Sequence, residues 1–189
     1  MPDTDTLVAA AEGGAEDPEP PRRLGLDVIV ETGDWAPLGD VAAHLAPLIA
    51  QLEQHPAAQS YLPATACLAL ADNATMRRLN GQFRSKDKPT NVLSFPAGAV
   101  ARRPHGSEPA ALGDIILGLE TVLHEASQQG IGVHDHIQHL VLHGLLHLMG
   151  HDHVREAQAQ IMEGLEIEIL GALGIVNPYD EAALEPAAP

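Results

Sequence analysis

Three histidines in the C-terminal half of the chain have the spacing of metal ligands. His143 and His147 are four residues apart in an apolar segment, so on a helix their imidazoles lie on one face, one turn apart. Gly150 can adopt a positive φ, which ends the helix and allows the chain to bring His153 back to the same ion. Three protein ligands leave a fourth position for water, as in catalytic zinc sites. The pattern predicts one zinc ion per chain, bound by these three histidines and used for hydrolysis.

The same spacing, H-x3-H-x5-H with a glycine three residues after the second histidine, occurs in the metzincin proteases. Those enzymes carry a glutamate directly after the first histidine, where it acts as general base. In this chain the corresponding residue is Gly144. The pattern therefore indicates a zinc hydrolase that is not a standard metalloprotease.

Most of the other histidines are not expected to bind the metal, because the chain has 11 in all. Six are predicted to lie at the surface: His44, His55, His105, His124, His134 and His136. His151 lies between better-placed positions and is not predicted to be a ligand. His139 precedes His143 by one turn and either orients a ligand, lines the substrate cleft or packs beside the core. Asp152 either accepts a hydrogen bond from a ligand or belongs to a turn or helix cap.

Basic residues are concentrated in one segment of an acidic chain. The net charge of -16 argues against a nucleic-acid partner, but residues 1–23 and 180–189 are acidic, and without them it is -9. Of the eight basic residues that remain, seven fall in a single stretch: Arg77, Arg78, Arg84, Lys86, Lys88, Arg102 and Arg103. On charge alone this stretch is equally well explained as a nucleic-acid contact or as a solvated loop.

Two long motifs together resemble the YbeY family. The first is LNGQFRSKDKPTNVLSFP at residues 79–96, and the second is HGLLHLMGHDH at residues 143–153. Further similarity lies in Gly113-Asp114-Ile115, in the lead-in from His136 to Leu140 and in Asn177-Pro178-Tyr179, so the resemblance covers about residues 24–180. His151 departs from the tyrosine that is usual in the family, at a position that is not a ligand there.

The resemblance implies a bacterial zinc-dependent endoribonuclease that acts in ribosomal RNA maturation. It implies that His143, His147 and His153 bind zinc and that Arg84 is the functional arginine. It also implies single-stranded RNA substrates, work at the 3′ end of small-subunit ribosomal RNA, ribosome quality control and association with the ribosome or its proteins. Neither spacing nor composition gives these substrate details.

The chemistry of phosphodiester cleavage gives the basic residues definite roles. Zinc lowers the pKa of bound water to about 7, and an arginine fork matches the charge that develops on the phosphoryl oxygens. We expect Arg84 to be catalytic and Lys86 and Lys88 to bind the substrate backbone, with His139 as a further substrate contact. The alternative for Arg84 is a surface salt bridge with Asp87. No general base is evident, and the nucleophile is either metal-activated water or the ribose 2′-OH.

Two other functions remain open at this stage. The chain could be a zinc hydrolase of peptides or small molecules, although Gly144 and the basic segment count against it. It could also be a ribosome-assembly protein that binds RNA and whose zinc is structural, against which the open fourth position argues weakly.

The elements that carry these residues follow from hydrophobic periodicity. Strands are predicted at 26–30, 66–70, 92–95 and 112–118, and helices at 38–52, 72–83, 119–129, 133–149 and 155–173. Pro47 counts against one straight helix at 38–52, and residues 97–111 are predicted to form a loop. The order predicts an α/β (α+β) fold, a single domain with a mixed four-stranded sheet, helices packed on it and the metal site on a helix of the C-terminal half.

Composition predicts one cytoplasmic domain with two disordered tails. The 189 residues suffice for one domain, and no apolar run reaches the roughly 20 residues of a membrane span. The N-terminus lacks the features of a secretory signal. Cys67, the single cysteine, is predicted to be a buried small hydrophobic residue. Residues 1–23 and 181–189 are expected to be disordered and acidic, with the metallohydrolase domain at 24–180.

Overall fold

The computed structural model describes residues 23–98 and 108–180. Both predicted tails lie outside these ranges, except for Arg23, and so do residues 99–107 of the predicted loop. The described part contains four strands, β1 (Leu24–Val30), β2 (Ala64–Ala71), β3 (Val92–Pro96) and β4 (Ala110–Gly118). Its α-helices are α1 (Val41–Gln54), α2 (Pro56–Gln59), α3 (Asn73–Arg84), α4 (Leu119–Gln129), α5 (Val133–Leu148) and α6 (Glu156–Ala172).

All nine predicted strands and helices are present, and the differences concern their ends. Residues 38–40 do not belong to α1, because Leu38 ends a short 3-10 helix and Asp40 caps α1 by accepting a hydrogen bond from the Ala43 N–H. α1 continues through Pro47. α2 was not predicted; Pro56 occupies its first turn, where a missing N–H costs nothing. β4 begins at Ala110, so the last two residues of the predicted loop belong to a strand.

The sheet is mixed, as predicted, with the strand order β1-β2-β4-β3. β1, β2 and β4 are parallel, and β3 pairs antiparallel with β4 at the edge. No helix among the described residues has the length and apolar character needed to span a membrane.

The main core lies between one face of the sheet and the helices α1, α5 and α6. Leu68 of β2 and Ile115 and Leu117 of β4 are completely buried there. Helix α5 contributes the largest apolar surface, through Ile137, Leu140, Val141, Leu142, Leu145, Leu146 and Leu148. Burial of each such side chain stabilises the fold by about 1.5–3 kcal/mol, so α5 is held firmly against the sheet.

Cys67 lies on the opposite face of the sheet, and the prediction that it is a buried core residue is wrong. Because strand residues alternate between faces, Cys67 points away from Leu68 and pairs in register with Asp114. It is half-buried. Partial burial, followed by the negative charges of Asp114, Asp27 and Glu31, raises the pKa of the thiol, which makes it a weak nucleophile.

Gly144 allows α5 to lie unusually close to β4. A Cβ atom at this position would be 2.9 Å from Cδ1 and 3.0 Å from Cγ1 of Ile115, distances that require the buried Ile115 side chain or one of the two elements to move. Glycine in the middle of a helix normally costs about 1 kcal/mol relative to alanine. The close packing of helix on sheet compensates for that cost.

We predict that Gly144→Ala lowers the free energy of unfolding by about 1–3 kcal/mol, as overpacking a core does. Gly164→Ala in α6 is the matched control, because no atom lies within 4 Å of its Cβ position. It should instead stabilise the protein by roughly 0.5–1 kcal/mol through helix propensity. Urea unfolding of the three proteins without metal measures both effects. Equal stabilisation by the two substitutions would contradict the close contact at Gly144.

Candidate metal centre

His143 and His147 lie on the side of α5 that faces away from its apolar contacts. Both are half-buried, while their neighbours Leu142, Leu145 and Leu146 are buried in the core. The helix ends at Leu148, and Gly150 follows with φ of +89°. This left-handed residue turns the chain back, as predicted from its type, and His153 returns to the two helical histidines.

The three predicted ligands come together. One ring nitrogen from each of His143, His147 and His153 lies within 4.8 Å of the others. The ring centroids of His153 lie 5.4 Å from His143 and 4.9 Å from His147. His151 is not part of this cluster; its carbonyl accepts a hydrogen bond from His147, and its own Nε2 is buried without a partner in the described part of the chain.

The hydrogen bonds of His143 and His147 determine which ring nitrogen of each is free. His143 Nδ1 lies 2.9 Å from Oε1 of Glu166, and His147 Nδ1 lies 3.0 Å from the carbonyl oxygen of His151. A carboxylate and a carbonyl only accept hydrogen bonds, so each Nδ1 carries the proton. In the neutral rings, each Nε2 therefore presents a lone pair.

The two Nε2 atoms face one another at 3.1 Å. Two lone pairs cannot form a hydrogen bond, so the contact is stabilised either by a second proton on one ring or by a metal ion that binds both nitrogens. Two ligand nitrogens on a tetrahedral zinc ion at 2.0–2.1 Å are themselves about 3.3 Å apart. Partial burial, and then the proximity of His143 and His153, lowers the pKa of His147, which favours the neutral form that binds metal. The donor set and spacing fit a divalent metal ion.

Glu166 of α6 forms hydrogen bonds with two histidines of α5. This residue was not predicted from the sequence. Its side chain is completely buried. It accepts hydrogen bonds from His143 Nδ1 at 2.9 Å, from His139 Nε2 at 3.1 Å and from the hydroxyl of Tyr179. Burial alone raises the pKa of this carboxyl, but the three donors outweigh burial and bring the pKa down to about 2. Glu166 is therefore ionised at neutral pH.

His139 joins the centre through Glu166. Its side chain is 18% exposed, and its ring centroid lies 6.4 Å from that of His143 and 5.9 Å from that of Tyr179. The structure thus places His139 one helical turn from His143, and its role as a substrate contact stays a prediction. Asp152 lies in the turn after α5, where its Oδ1 accepts a hydrogen bond from the N–H of His153, and the N-cap of α6 is Arg155.

Of the histidines predicted at the surface, one is instead buried and two are half-buried. His136 is 3% exposed and its Nε2 lies 2.9 Å from the Glu125 carboxylate, because it lies where α5 meets α4. The His55 side chain is 10% exposed.

His44 and His124 are exposed as predicted. His134 is half-buried. Its ring stacks on His44 with ring centroids 3.8 Å apart, and its Nε2 lies 3.0 Å from the Leu38 carbonyl oxygen. His105 lies outside the described residues.

Arg84 is the last residue of α3, and its side chain is exposed. The predicted alternative, a salt bridge from Arg84 to Asp87, is wrong: Asp87 pairs with Arg77 through two hydrogen bonds of 2.6 and 2.7 Å. Arg77 lies two turns earlier on α3. Within residues 23–98 and 108–180, Arg84 therefore has a free guanidinium group.

Lys86 and Lys88 are also exposed, in the segment that follows α3. Asn80, which is buried, holds this segment by donating to the Lys88 carbonyl at 2.7 Å. The Lys86 N–H in turn donates to the Asn80 carbonyl. The backbone is thus fixed while both ammonium groups face solvent.

Strand β3 connects the basic segment to the histidine helix. Phe83, next to Arg84, packs edge-on against Phe95 with ring centroids 5.0 Å apart. The neighbouring strand residue, Ser94, pairs with Ile115, which contacts Gly144 beside the first ligand. The described structure gives no direct hydrogen bond or ion pair between the basic side chains and the three histidines.

Comparison with known proteins identifies the family. The profile of a family described as Endoribonuclease YbeY matches residues 39–174. The chain is 47% identical over 170 residues to Endoribonuclease YbeY of Chelativorans sp. (strain BNC1), which covers 89% of this chain and 98% of that protein. The chain belongs to the YbeY family. A YbeY protein of Rhodospirillum rubrum is 44% identical over 183 residues, covering 95% of this chain and 85% of that one.

The solved structures show that the fold is shared with another protein. The solution structure of TM1509 from Thermotoga maritima superposes with a TM-score of 0.51 at 20% identity, and it covers 87% of this chain and 99% of that one. At this identity the similarity supports the YbeY-type fold alone.

We predict that the metal-free protein binds cobalt(II), a spectroscopic substitute for zinc, at one tetrahedral site that includes imidazole ligands. His147→Ala should weaken binding by at least about 100-fold, because it removes one of three ligands. The control His124→Ala removes an exposed histidine of α4 and should bind cobalt like wild type. Titration followed by visible absorption measures both. Equal affinity of His147→Ala and wild type would refute this ligand set.

Proposed function

We propose that this protein is a zinc-dependent endoribonuclease that cleaves single-stranded RNA during ribosomal RNA maturation. The observation that carries the proposal is the pair of Nε2 lone pairs facing each other at 3.1 Å beside His153. The reaction is inferred from the relatives, which are named Endoribonuclease YbeY.

Zinc is the metal that best suits these ligands. Neutral imidazoles favour zinc over magnesium or calcium, which prefer oxygen ligands. A closed thiolate site has no support, because Cys67 lies on the sheet face opposite the one that α5 covers. Three protein ligands leave one position for water or substrate, the arrangement of a catalytic site. When bound, zinc would polarise a phosphoryl oxygen and make water acidic enough to react near neutral pH.

The exposed cations of the basic segment, together with His139, would bind and orient the RNA. The exposed guanidinium of Arg84 has the geometry to donate two hydrogen bonds to a phosphate whose negative charge increases in the transition state. Lys86 and Lys88 would attract the flanking backbone. His139 donates its Nε2–H to Glu166, so its Nδ1 remains as a hydrogen-bond acceptor for the substrate.

The biological role follows from the family and stays a proposal. We infer that the substrate is the 3′ end of small-subunit ribosomal RNA, that the enzyme acts with the ribosome or ribosome-associated proteins in the cytoplasm, and that it takes part in ribosome quality control. The exposed cationic groups of Arg84, Lys86 and Lys88 support a polyanionic partner despite the acidic net charge.

Peptide hydrolysis is disfavoured by the packing at Gly144. A protease of this ligand spacing needs a glutamate there, but even a Cβ atom would lie 2.9 Å from Ile115. The close contact between α5 and β4 therefore leaves no room for a glutamate side chain at position 144.

We predict that purified protein contains about one zinc per chain and cleaves single-stranded RNA. Chelation should abolish cleavage, and stoichiometric zinc should restore it, because the metal supplies the activation of water. Undiminished cleavage after complete removal of zinc would contradict the proposed mechanism. RNA binding without cleavage in the zinc-loaded protein would favour the ribosome-assembly role with a structural zinc.

We also predict that Arg84→Lys reduces single-turnover cleavage by about 10²–10³-fold while RNA affinity changes little. Lysine keeps the positive charge but loses the bidentate fork that would stabilise the transition state. Arg77→Lys is the matched control, since Arg77 lies on the same helix and is engaged by Asp87; its cleavage rate should equal that of wild type.

Binding measured under non-cleaving conditions separates the two roles of Arg84. If Arg84 only attracts the backbone, Arg84→Lys should retain most activity, and added salt should weaken wild type and variant alike. Unchanged single-turnover cleavage in Arg84→Lys would exclude the catalytic role.

A further inference from the structure

Glu166 is a buried charged residue, and a contribution to the stability of the fold does not explain why a carboxylate lies at this position. It has no exposed surface, and the groups that donate to it are two imidazoles and a phenol rather than a lysine or an arginine. Burying a carboxylate costs several kcal/mol. An apolar side chain of similar volume often stabilises a core equally well or better, so the carboxylate calls for a functional explanation.

The hydrogen-bonding capacity of a carboxylate gives a functional explanation for Glu166. Ionised Glu166 has only acceptors, so every neighbour that contacts it must donate. His143 is thereby held with its proton on Nδ1 and its lone pair on Nε2, toward the other ligands. His139 is held in the opposite tautomer, with its proton on Nε2.

Tyr179 completes the surroundings of the carboxylate. It follows α6 in the chain, its hydroxyl donates to the same oxygen as His139, and its ring packs edge-on against His139. The segment after α6 thus returns to cover Glu166. Both carboxylate oxygens are occupied, one by His143 and the other by His139 and Tyr179.

We propose that Glu166 is a positioning residue that sets the tautomers of His143 and His139, keeping one nitrogen free for the metal and another free for the substrate. The inference rests on the proposed metal site, and it assigns a role to a residue that contacts neither metal nor substrate.

Glu166→Gln tests this assignment with minimal change in shape. The amide has one acceptor side and one donor side, so it cannot accept from both histidines at once. We expect zinc affinity to fall by about 10–100-fold, the usual effect of losing such a partner. Glu168→Gln is the matched control: it makes the same change two residues away on α6, at a side chain that is 70% exposed. It should bind zinc like wild type.

The ring-nitrogen chemical shifts of the metal-free proteins, measured at mildly alkaline pH, report the tautomers directly. Wild type and Glu168→Gln should have His143 protonated on Nδ1 alone, whereas Glu166→Gln should gain the form protonated on Nε2. A purely structural role for Glu166 would change stability without this shift. Wild-type zinc affinity together with unchanged His143 shifts in Glu166→Gln would overturn the proposal.

The same data separate failure of this inference from failure of the proposed function. If wild type binds no zinc, the metal site is wrong. If wild type binds zinc and Glu166→Gln binds it equally well, only the positioning role is wrong. Should Glu166→Gln not fold, the wild-type spectrum decides: a His143 proton on Nδ1 supports the proposal, and a proton on Nε2 overturns it.

Discussion

The contact between Gly144 of α5 and Ile115 of β4 is the constraint on which the site depends. It brings the helix so close to the sheet that a Cβ atom would be 2.9 Å from the isoleucine side chain. With Gly144 fixed against the sheet, the helical period of 3.6 residues places His143 and His147 on the adjacent flank of α5, about 60–100° around the helix axis from that contact. The same contact removes the position that a metalloprotease would use for its base. One packing interaction therefore both fixes the helix that carries the two histidines and leaves no room for a side chain at position 144.

Packing sets the position of α5, and hydrogen bonds from other segments then set the orientation of its two histidine rings. Spacing along a helix brings two imidazoles to one side, but it does not decide which nitrogen of each ring is free. That choice is made by the Glu166 carboxylate on α6 and by the His151 carbonyl in the turn after α5. The candidate metal centre therefore depends on three segments: α5, α6 and the turn after α5. Local unfolding of α6 or of this turn should weaken metal binding.

The sequence predicted the features that repeat along the chain. Alternation in β1 and the apolar period of α5 identified those elements, and the positive φ of Gly150 was expected from its type. It did not predict Glu166, because a glutamate in an amphipathic helix looks like any solvent-facing residue until the partner helix is known. The same reason explains the burial of His136, whose partner Glu125 lies on α4, and the pairing of Asp87 with Arg77 rather than Arg84. A capping box or a heptad has a local signal, whereas such long-range pairs have none.

X-ray absorption spectroscopy of the zinc-loaded full-length protein tests the central claim most directly, since it counts the atoms around the metal. Ligation by His143, His147 and His153 with an open position predicts three imidazole nitrogens and one oxygen from water, all about 2.0–2.1 Å from zinc. Four imidazole nitrogens would mean that another histidine, such as His139 or His151, closes the site. That result, or a sulfur neighbour, would contradict a catalytic metal centre assembled in this way.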